Sequence, residues 1–167
     1  MTVKHQRSLG GYGMYFREVQ LEDKELFEHY LAGRYHDLIT YNFTSLFLWR
    51  AWDPYGWTII EDALCIKSDY LGYDTIMVPC SPDDGKILKA TEALIAWYKE
   101  RQVPFIMSEV SEAMLDFYAH YWPGRFQAEA YEPGFNYIYR REDLANLKGR
   151  RYDAKRNHIN SFIKNYP

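Results

Sequence analysis

Hydrophobic residues recur along the chain at two spacings, one typical of helices and the other of strands. The clearest helical spacing runs from Pro82 to Arg101, where apolar side chains share one face and charged ones the other. The same spacing predicts further helices from Glu22 to Gly33, Asn42 to Trp52, Ser111 to Tyr121, Glu142 to Leu147 and Tyr152 to Tyr166. Runs of β-prone residues predict strands at Met14–Leu21, Trp57–Glu61, Ala63–Lys67, Asp74–Pro79, Val103–Val110, Phe126–Tyr131 and Phe135–Arg140.

The order of these elements predicts an α+β or α/β fold, in which helices flank a central mixed sheet. Closely spaced glycines predict a flexible leader over residues 1–13. The folded domain is expected over 14–147, and a basic connecting helix over 148–167. No repeat or internal linker interrupts the domain.

The last predicted helix has an apolar stripe, formed by Tyr152, Ile159, Phe162, Ile163 and Tyr166. A helix with such a stripe must bury it against another surface. That surface can be the body of this chain, a second copy, or a domain outside the chain. The sequence leaves all three open.

Charge is distributed unevenly within 167 residues that are 47% apolar, a composition typical of one globular domain. From Arg140 to Lys164 there are 8 basic and 3 acidic residues, whereas the rest of the chain has 12 basic and 20 acidic ones. The net charge of -3 therefore combines an acidic body of -8 with a basic segment of +5. Such asymmetry indicates a surface that meets an anion or an acidic partner.

The sequence excludes several classes of protein. No window approaches 18 consecutive apolar residues, so no transmembrane segment is expected. The first residues lack the apolar stretch of a secretory signal, which indicates a cytoplasmic protein. In that reducing compartment Cys65 and Cys80 are expected to be free, buried thiols in strands.

The basic segment holds the most distinctive candidate chemistry, a glycine turn that leads into a helix with several cations. A helix N-terminus with nearby guanidinium groups can bind phosphate. One alternative is a solvated basic helix face. Another is non-specific contact with nucleic acid, against which the acidic body argues. The candidate phosphate- or donor-binding residues are Lys148, Arg150, Arg151, Lys155, Arg156, Asn157, His158 and Asn160. The first five, all cations, would neutralise the charge of the phosphate. The last three, two asparagines and a histidine, would orient groups by hydrogen bonds.

Other patterns in the sequence are weaker evidence for a binding or catalytic site. The glycines at 10–13 and 85 lack the remainder of a dinucleotide or P-loop motif. The five histidines show no metal-ligand spacing with the cysteines, so no metal site is expected. Tyr41, Asn42 and Trp49 could line a cleft, with core packing of the aromatics as the alternative. No residue in the chain is singled out as catalytic.

Several fragments together carry a family resemblance. They are Phe16-Arg17 to Glu28 and Tyr30, Tyr41-Asn42-Phe43, Leu46 to Arg50, Tyr137-Ile138-Tyr139, Asp143-Leu144, Leu147 to Tyr152 and Lys155 to Phe162. In these the chain resembles the bacterial phosphatidylglycerol lysyltransferase C-terminal-domain-like proteins, long grouped as a domain of unknown function. The last fragment is the most specific.

The resemblance implies a fold of the GCN5-related N-acetyltransferase (GNAT) type, usually present as two domains in tandem. It also implies kinship with enzymes that move an aminoacyl group from transfer RNA to a lipid or peptidoglycan precursor. The donor would be acyl-CoA or aminoacyl-tRNA. The expected partner is a second GNAT-like domain or a second copy, bound through the last helix.

The chain departs from this family in length and in one motif. It resembles the N-terminal half plus the connecting helix, with the second half absent. The GNAT pyrophosphate loop, Gln or Arg followed by x-x-Gly-x-Gly or Ala, has its nearest match at Arg7 to Tyr12, which fails at the last position. We therefore expect an acyltransferase-like half that is not catalytically complete alone. The alternative is a non-catalytic module that docks a partner through its last helix.

Overall fold

Five strands form one mixed sheet in the computed structural model, which describes residues 14–32, 38–70 and 72–166. The strands are β1 (Arg17–Glu18), β2 (Gly56–Ile60), β3 (Ala63–Tyr70), β4 (Tyr73–Met77) and β5 (Met107–Ser108), and they lie side by side in that order. The first four pair antiparallel, and β5 pairs parallel to β4. The expected mixed sheet is confirmed.

Six α-helices accompany the sheet in the described residues. They are α1 (Lys24–Leu31), α2 (Phe43–Trp49), α3 (Asp84–Glu100), α4 (Glu112–Tyr121), α5 (Arg141–Asn146) and α6 (Asp153–Asn165). Side chains fix the starts of three of them, because Asn42, Asp83 and Ser111 each accept a hydrogen bond from a backbone N–H in the first turn. The predicted end of the first helix at Gly33 lies outside the described residues, as does the leader over residues 1–13.

The chain divides into two compact units, Met1–Glu129 and Ala130–Pro167. The first contains the sheet and α1 to α4, and the second contains α5 and α6. The boundary comes after α4, where the predicted strand Phe126–Tyr131 would have run.

The middle of the sheet, at the first four residues of β3, is buried on both faces. Successive residues of β3 alternate between two clusters, since Leu64 and Ile66 pack with α1, α2 and α4, whereas Ala63 and Cys65 pack with α3. This explains the uninterrupted apolar run in β3, because a strand covered on both sides has no solvent-facing position. Cys65 and Cys80 are both free and buried, as expected.

A buried carboxylate ties the start of α1 to the sheet. Asp23 accepts hydrogen bonds from the Gln20 backbone N–H at 2.9 Å and from the Trp57 indole N–H at 2.9 Å, and it forms an ion pair with Arg17. The Arg17 guanidinium also lies 4.0 Å from the centre of the Trp57 ring. A buried charge is tolerated here because its oxygens are fully engaged.

Two predicted strands, Phe126–Tyr131 and Phe135–Arg140, are wrong. Neither pairs with another strand in the part of the chain that the structure describes, and a 3-10 turn at Glu132–Gly134 separates them. Phe126 packs its ring against Tyr118 in the core, but its backbone joins no ladder. Strand propensity measures the fit of side chains to a half-buried pleated surface, and it cannot supply the neighbouring strand.

Other predicted elements are present but shorter. The strand expected over Met14–Leu21 is only Arg17–Glu18, and the one over Val103–Val110 is only Met107–Ser108. The helix expected to reach Trp52 ends at Trp49. The two strands extend only as far as their pairing with a neighbouring strand, and α2 is followed by a turn in which the Trp52 and Asp53 N–H groups bond to the Trp49 carbonyl.

Candidate functional site

The parallel strands β4 and β5 separate just after their two paired positions, Ile76 with Met107 and Met77 with Ser108. Ligands of mixed and parallel sheets commonly bind where the carboxyl ends of neighbouring strands part. The carboxyl ends of β4 and β5 are therefore the first candidate site in the first unit.

A β-bulge lies at the same place. The pairing of Lys67 with Ile76 would put Leu64 opposite Pro79, but Leu64 exchanges both backbone hydrogen bonds with Cys80. The β4 side thus contains one additional residue. The Val78 N–H lies beyond the last pair of β4 and β5, and it donates to the Tyr41 hydroxyl instead of to a strand carbonyl. Proline in a strand is confined to edges and bulges, so Pro79 is the sequence signal that could have revealed this feature.

The hydroxyl of Tyr41 bridges the gap between the two strand ends. It accepts a hydrogen bond from the Val78 N–H at 3.1 Å and donates one to the Glu109 carbonyl at 2.9 Å. Tyr41 is buried, with 6% of its surface exposed. The gap is thereby closed by a side chain of the segment that leads into α2.

Glu109 is held in an unusual backbone conformation at the end of β5. Its φ angle is 55°, in the left-handed region that non-glycine residues rarely adopt. Its carboxylate accepts a hydrogen bond from the Thr40 hydroxyl at 2.9 Å, which fixes the side chain toward the same segment. No pattern in the sequence marked Glu109 or Thr40, because a strained φ angle leaves no signature in residue type.

The three residues expected in a cleft have different surroundings. Tyr41 is buried in the bridge, whereas Asn42 caps α2 by accepting a hydrogen bond from the Ser45 N–H at 2.8 Å. The side chain of Trp49, at the other end of α2, is exposed. Of the three, Tyr41 is the residue that lies at the candidate site.

At the junction between β4 and α3, a side-chain carboxylate already binds the backbone N–H groups that could hold a phosphate. The Asp83 carboxylate accepts hydrogen bonds from the N–H groups of Gly85 at 2.8 Å and Lys86 at 3.3 Å, and Asp84 adds another negative charge to the first turn. These are the backbone donors that a helix N-terminus would otherwise offer to phosphate. The segment from Val78 to Asp83 also contains no glycine.

A cluster of three polar side chains surrounds the turn between β2 and β3. Asp62, at φ 57°, accepts hydrogen bonds from the Tyr30 hydroxyl at 2.8 Å and from the Lys86 ammonium at 2.5 Å. Burial, reinforced by the bond to Asp62, raises the pKa of Tyr30 to about 12. The bonds from Lys86 and Tyr30 lower the pKa of the Asp62 carboxyl. These shifts keep Tyr30 neutral and Asp62 charged, which favours a structural tie over proton transfer.

In the second unit, two of the candidate cations are engaged with the chain itself. Arg151 forms an ion pair with Asp143 at 2.7 Å. Arg156 pairs with Asp153 and donates hydrogen bonds to the carbonyls of Leu147 and Gly149, the latter at 3.1 Å. Arg156 thus holds the turn between α5 and α6, which includes the left-handed residue Leu147 at φ 47°.

The remaining candidates of this segment lie on the surface. They are Lys148, Arg150, Lys155, Asn157, His158 and Asn160, all exposed. Within the described part of the chain, Lys148, Arg150 and Lys155 make no ion pair. Three cations near one glycine turn therefore face solvent with their charge uncompensated.

The described residues form neither a metal site nor a membrane-spanning helix. No group of three or more His, Cys, Asp or Glu side chains there is arranged to hold a metal ion. No helix in the described residues is both long and apolar enough to cross a membrane.

Comparison with known proteins identifies the family of this chain. Residues 34–167 match the family model described as phosphatidylglycerol lysyltransferase, C-terminal. The chain belongs to this family. The resemblance expected from the sequence is thus confirmed over the range that contains the candidate site and the basic segment.

One solved structure is similar to this member of the lysyltransferase C-terminal family. It is a conserved protein of unknown function from Bacteroides thetaiotaomicron, 29% identical, with a TM-score of 0.65. The match covers 91% of this chain and 51% of the other, so this chain spans about half the length of that relative. No curated protein matches the chain.

Proposed function

We propose that this chain is a GNAT-like module of an aminoacyl- or acyl-transferase, and that its basic segment contacts the phosphates of an aminoacyl-tRNA donor. Membership of the lysyltransferase C-terminal family supports the reaction class. The observation that carries the donor assignment is the group of three exposed, unpaired cations beside Gly149.

The arrangement of the sheet supports the GNAT-like part of the proposal. An antiparallel meander of four strands is followed by α3 and a parallel fifth strand, and the bulge lies where β4 and β5 part. A displaced backbone N–H at such a gap is suited to bind the carbonyl of an acyl group. In this chain the Tyr41 hydroxyl occupies the Val78 N–H, which agrees with a half that is not catalytically complete alone.

The basic segment supports a phosphate contact because one of its cations stabilises the turn while three others have no acidic partner. Arg156 is used to hold the turn, since it binds the Leu147 and Gly149 carbonyls. Lys148, Arg150 and Lys155 are left free to neutralise phosphates. A preformed turn lowers the entropy that must be lost when such side chains bind.

Two features favour transfer RNA over acyl-CoA as the donor. The N-terminus of α3, which could otherwise hold a pyrophosphate, is occupied by Asp83. Cationic charge is concentrated instead in the second unit, which has 8 basic and 4 acidic residues against 12 and 19 in the first. A spaced set of exposed cations suits the repeated phosphates of an RNA backbone.

Aminoacyl-tRNA is expected to bind with a marked salt dependence that the double variant Lys148→Ala/Lys155→Ala weakens. Loss of two phosphate contacts should lower the slope of log affinity against log salt by about 2. Fluorescence anisotropy with labelled aminoacyl-tRNA across a salt series measures this slope, with acyl-CoA as the competing donor class.

The matched control is Lys89→Ala/Lys99→Ala, which removes two exposed lysines from α3 in the acidic unit. It should leave the slope unchanged. Equal slopes in the wild type and the Lys148/Lys155 variant, or tighter binding of acyl-CoA than of aminoacyl-tRNA, would reject the donor assignment.

A second candidate function is a non-catalytic module that docks a further domain through α6. Of the five residues of the predicted apolar stripe, Tyr152 is buried, whereas Ile159, Phe162, Ile163 and Tyr166 are exposed. The occupant we propose is a further domain, since the solved relative extends over about twice the matched length.

This second candidate is tested on the solved relative and on this chain. Residues of the relative that superpose on Ile159 and Phe162 should be buried by the half that has no counterpart here, and their exposure would contradict the docking role. Light scattering of Phe162→Asp should give the same mass as the wild type, because the occupant is not a second copy.

A further inference from the structure

The contacts of the Tyr41 hydroxyl indicate which kind of ligand the ends of β4 and β5 can bind. The backbone presents one donor here, the Val78 N–H, and one acceptor, the Glu109 carbonyl, and a single hydroxyl binds both. It accepts from the first at 3.1 Å and donates to the second at 2.9 Å. A ligand that replaces the hydroxyl must therefore offer both functions, because a buried backbone group without a partner costs free energy.

The distance between the two backbone groups limits the size of that ligand. Both the Val78 nitrogen and the Glu109 oxygen lie within hydrogen-bond distance of one atom, so the acceptor and the donor of the ligand must belong to neighbouring groups. An α-aminoacyl group meets this requirement, since its carbonyl and its ammonium are attached through adjacent carbon atoms. A simple acyl group has the carbonyl but lacks the donor.

The side chain of Glu109 adds a negative charge beside the accepting carbonyl. Its carboxylate accepts a hydrogen bond from the Thr40 hydroxyl at 2.9 Å. Within the described ranges of the chain, no cation forms an ion pair with it. An ionised carboxylate can accept several hydrogen bonds, so this one can still attract an ammonium group. The charge therefore favours a ligand with an amine over a neutral acyl group.

The backbone of Glu109 is strained, and two neighbouring residues hold it in place. Its φ angle of 55° lies in the left-handed region, and such residues persist where surrounding contacts fix them, often at ligand sites and switches. The contacts here come from Thr40 and Tyr41, which belong to a turn closed by a hydrogen bond from the Tyr41 N–H to the Leu38 carbonyl at 3.1 Å. Displacement of this one turn would release both contacts together.

Building on the proposed function, we infer that the Val78 N–H and the Glu109 carbonyl together bind the α-aminoacyl group of the donor, and that the Tyr41 hydroxyl occupies their site until this group displaces it. The carbonyl oxygen of the ligand accepts from the Val78 N–H, and its ammonium donates to the Glu109 carbonyl. Every residue of this site belongs to the first unit.

Titration of the wild-type chain with two esters tests the requirement for the amine. L-Alanine methyl ester and methyl propionate share the ester carbonyl, but only the first has an α-amino group, which is charged at mildly acidic pH. We expect the amino ester to bind about tenfold more tightly or better, because it makes one additional charge-assisted hydrogen bond. Nuclear magnetic resonance of the isotope-labelled chain measures both affinities, and the amide signal of Val78 should shift with the amino ester.

Tyr41→Phe tests the competition between the hydroxyl and the ligand. The variant keeps the ring and removes the competing group, so it should bind L-alanine methyl ester about three- to tenfold more tightly than the wild type. The matched control is Tyr118→Phe, which removes another hydrogen-bonded hydroxyl from the same core cluster, 2.8 Å from the Thr91 hydroxyl. It should leave the affinity unchanged. The dispersion of the amide signals shows whether each variant is folded.

Three outcomes would overturn the inference. One is equal binding of the two esters, or none at millimolar concentration, by the wild type. Another is binding of the amino ester that leaves the Val78 signal in place. The third is a folded Tyr41→Phe variant with unchanged or weaker affinity. If that variant does not fold, the wild-type titrations decide alone.

The outcome is separable from that of the donor assignment, because neither ester contains phosphate or RNA. Tighter binding of the amino ester together with a salt slope that Lys148→Ala/Lys155→Ala leaves unchanged would reject the RNA contact and support the aminoacyl site. A lowered slope together with equal binding of the two esters would reject the site and support the RNA contact.

Discussion

Tyr41→Ala is expected to lower the free energy of unfolding by about 3–5 kcal/mol, the cost of truncating a large buried aromatic side chain. Tyr41 belongs to the core cluster under α1, α2 and α4 and is only 6% exposed. The substitution also removes the hydroxyl that joins the Val78 N–H to the Glu109 carbonyl. Urea unfolding followed by tryptophan fluorescence measures the change.

Tyr41→Phe separates the bridge from the packing. The ring stays, but the buried Val78 N–H loses its partner, for which we expect a loss of about 1–3 kcal/mol. A change within about 0.5 kcal/mol, the range of ordinary surface substitutions, would show that the bridge does not stabilise the ends of β4 and β5.

Phe27→Ala is the second substitution with a large expected effect, about 3–5 kcal/mol, because it removes a fully buried ring from the centre of the same cluster. The Phe27 ring meets Phe43 and Trp57 edge-on, with ring centres 5.7 and 5.5 Å apart. Such pairs add to the free energy of burial. Thermal unfolding should show a fall of roughly 2–4 °C for each kcal/mol lost.

The control for Phe27 is Leu48→Ala on α2, an exposed position at which truncation should change stability by no more than about 0.5 kcal/mol. Equal losses at Leu48 and Phe27 would contradict the exposed position of Leu48 on α2. A small loss at Phe27 would contradict the assignment of this cluster as the core.

The sequence predicted the local elements of the fold better than their pairing. Amphipathic spacing located α3 within two residues, and the capping residues Asn42 and Ser111 stood where helices begin. Strand pairing depends on residues far apart in the chain, so the shortness of β1 and the unpaired segment Phe135–Arg140 could not be read from local composition. The two wrong strands have this cause.

The candidate site, too, could be predicted only in part from the sequence. Tyr41 was named from its aromatic context, but its role depends on the Val78 N–H, which lies beyond the last pair of β4 and β5 and so has no strand carbonyl to bind. For Arg156, the sequence showed a cation and the structure shows a tie to two carbonyls. Composition gives the number of charges in a segment, whereas the fold decides which of them neutralise one another.

The additional residue between Met77 and Cys80 makes the length of the chain at this point as important as its composition. Strand side chains alternate between faces, so deletion of one residue here would exchange the inward and outward positions of everything that follows as far as α3. A substitution at Val78 changes one side chain, but a deletion would redirect several at once. We therefore expect gaps in alignments of this family to avoid residues 77–80 and to collect in surface loops.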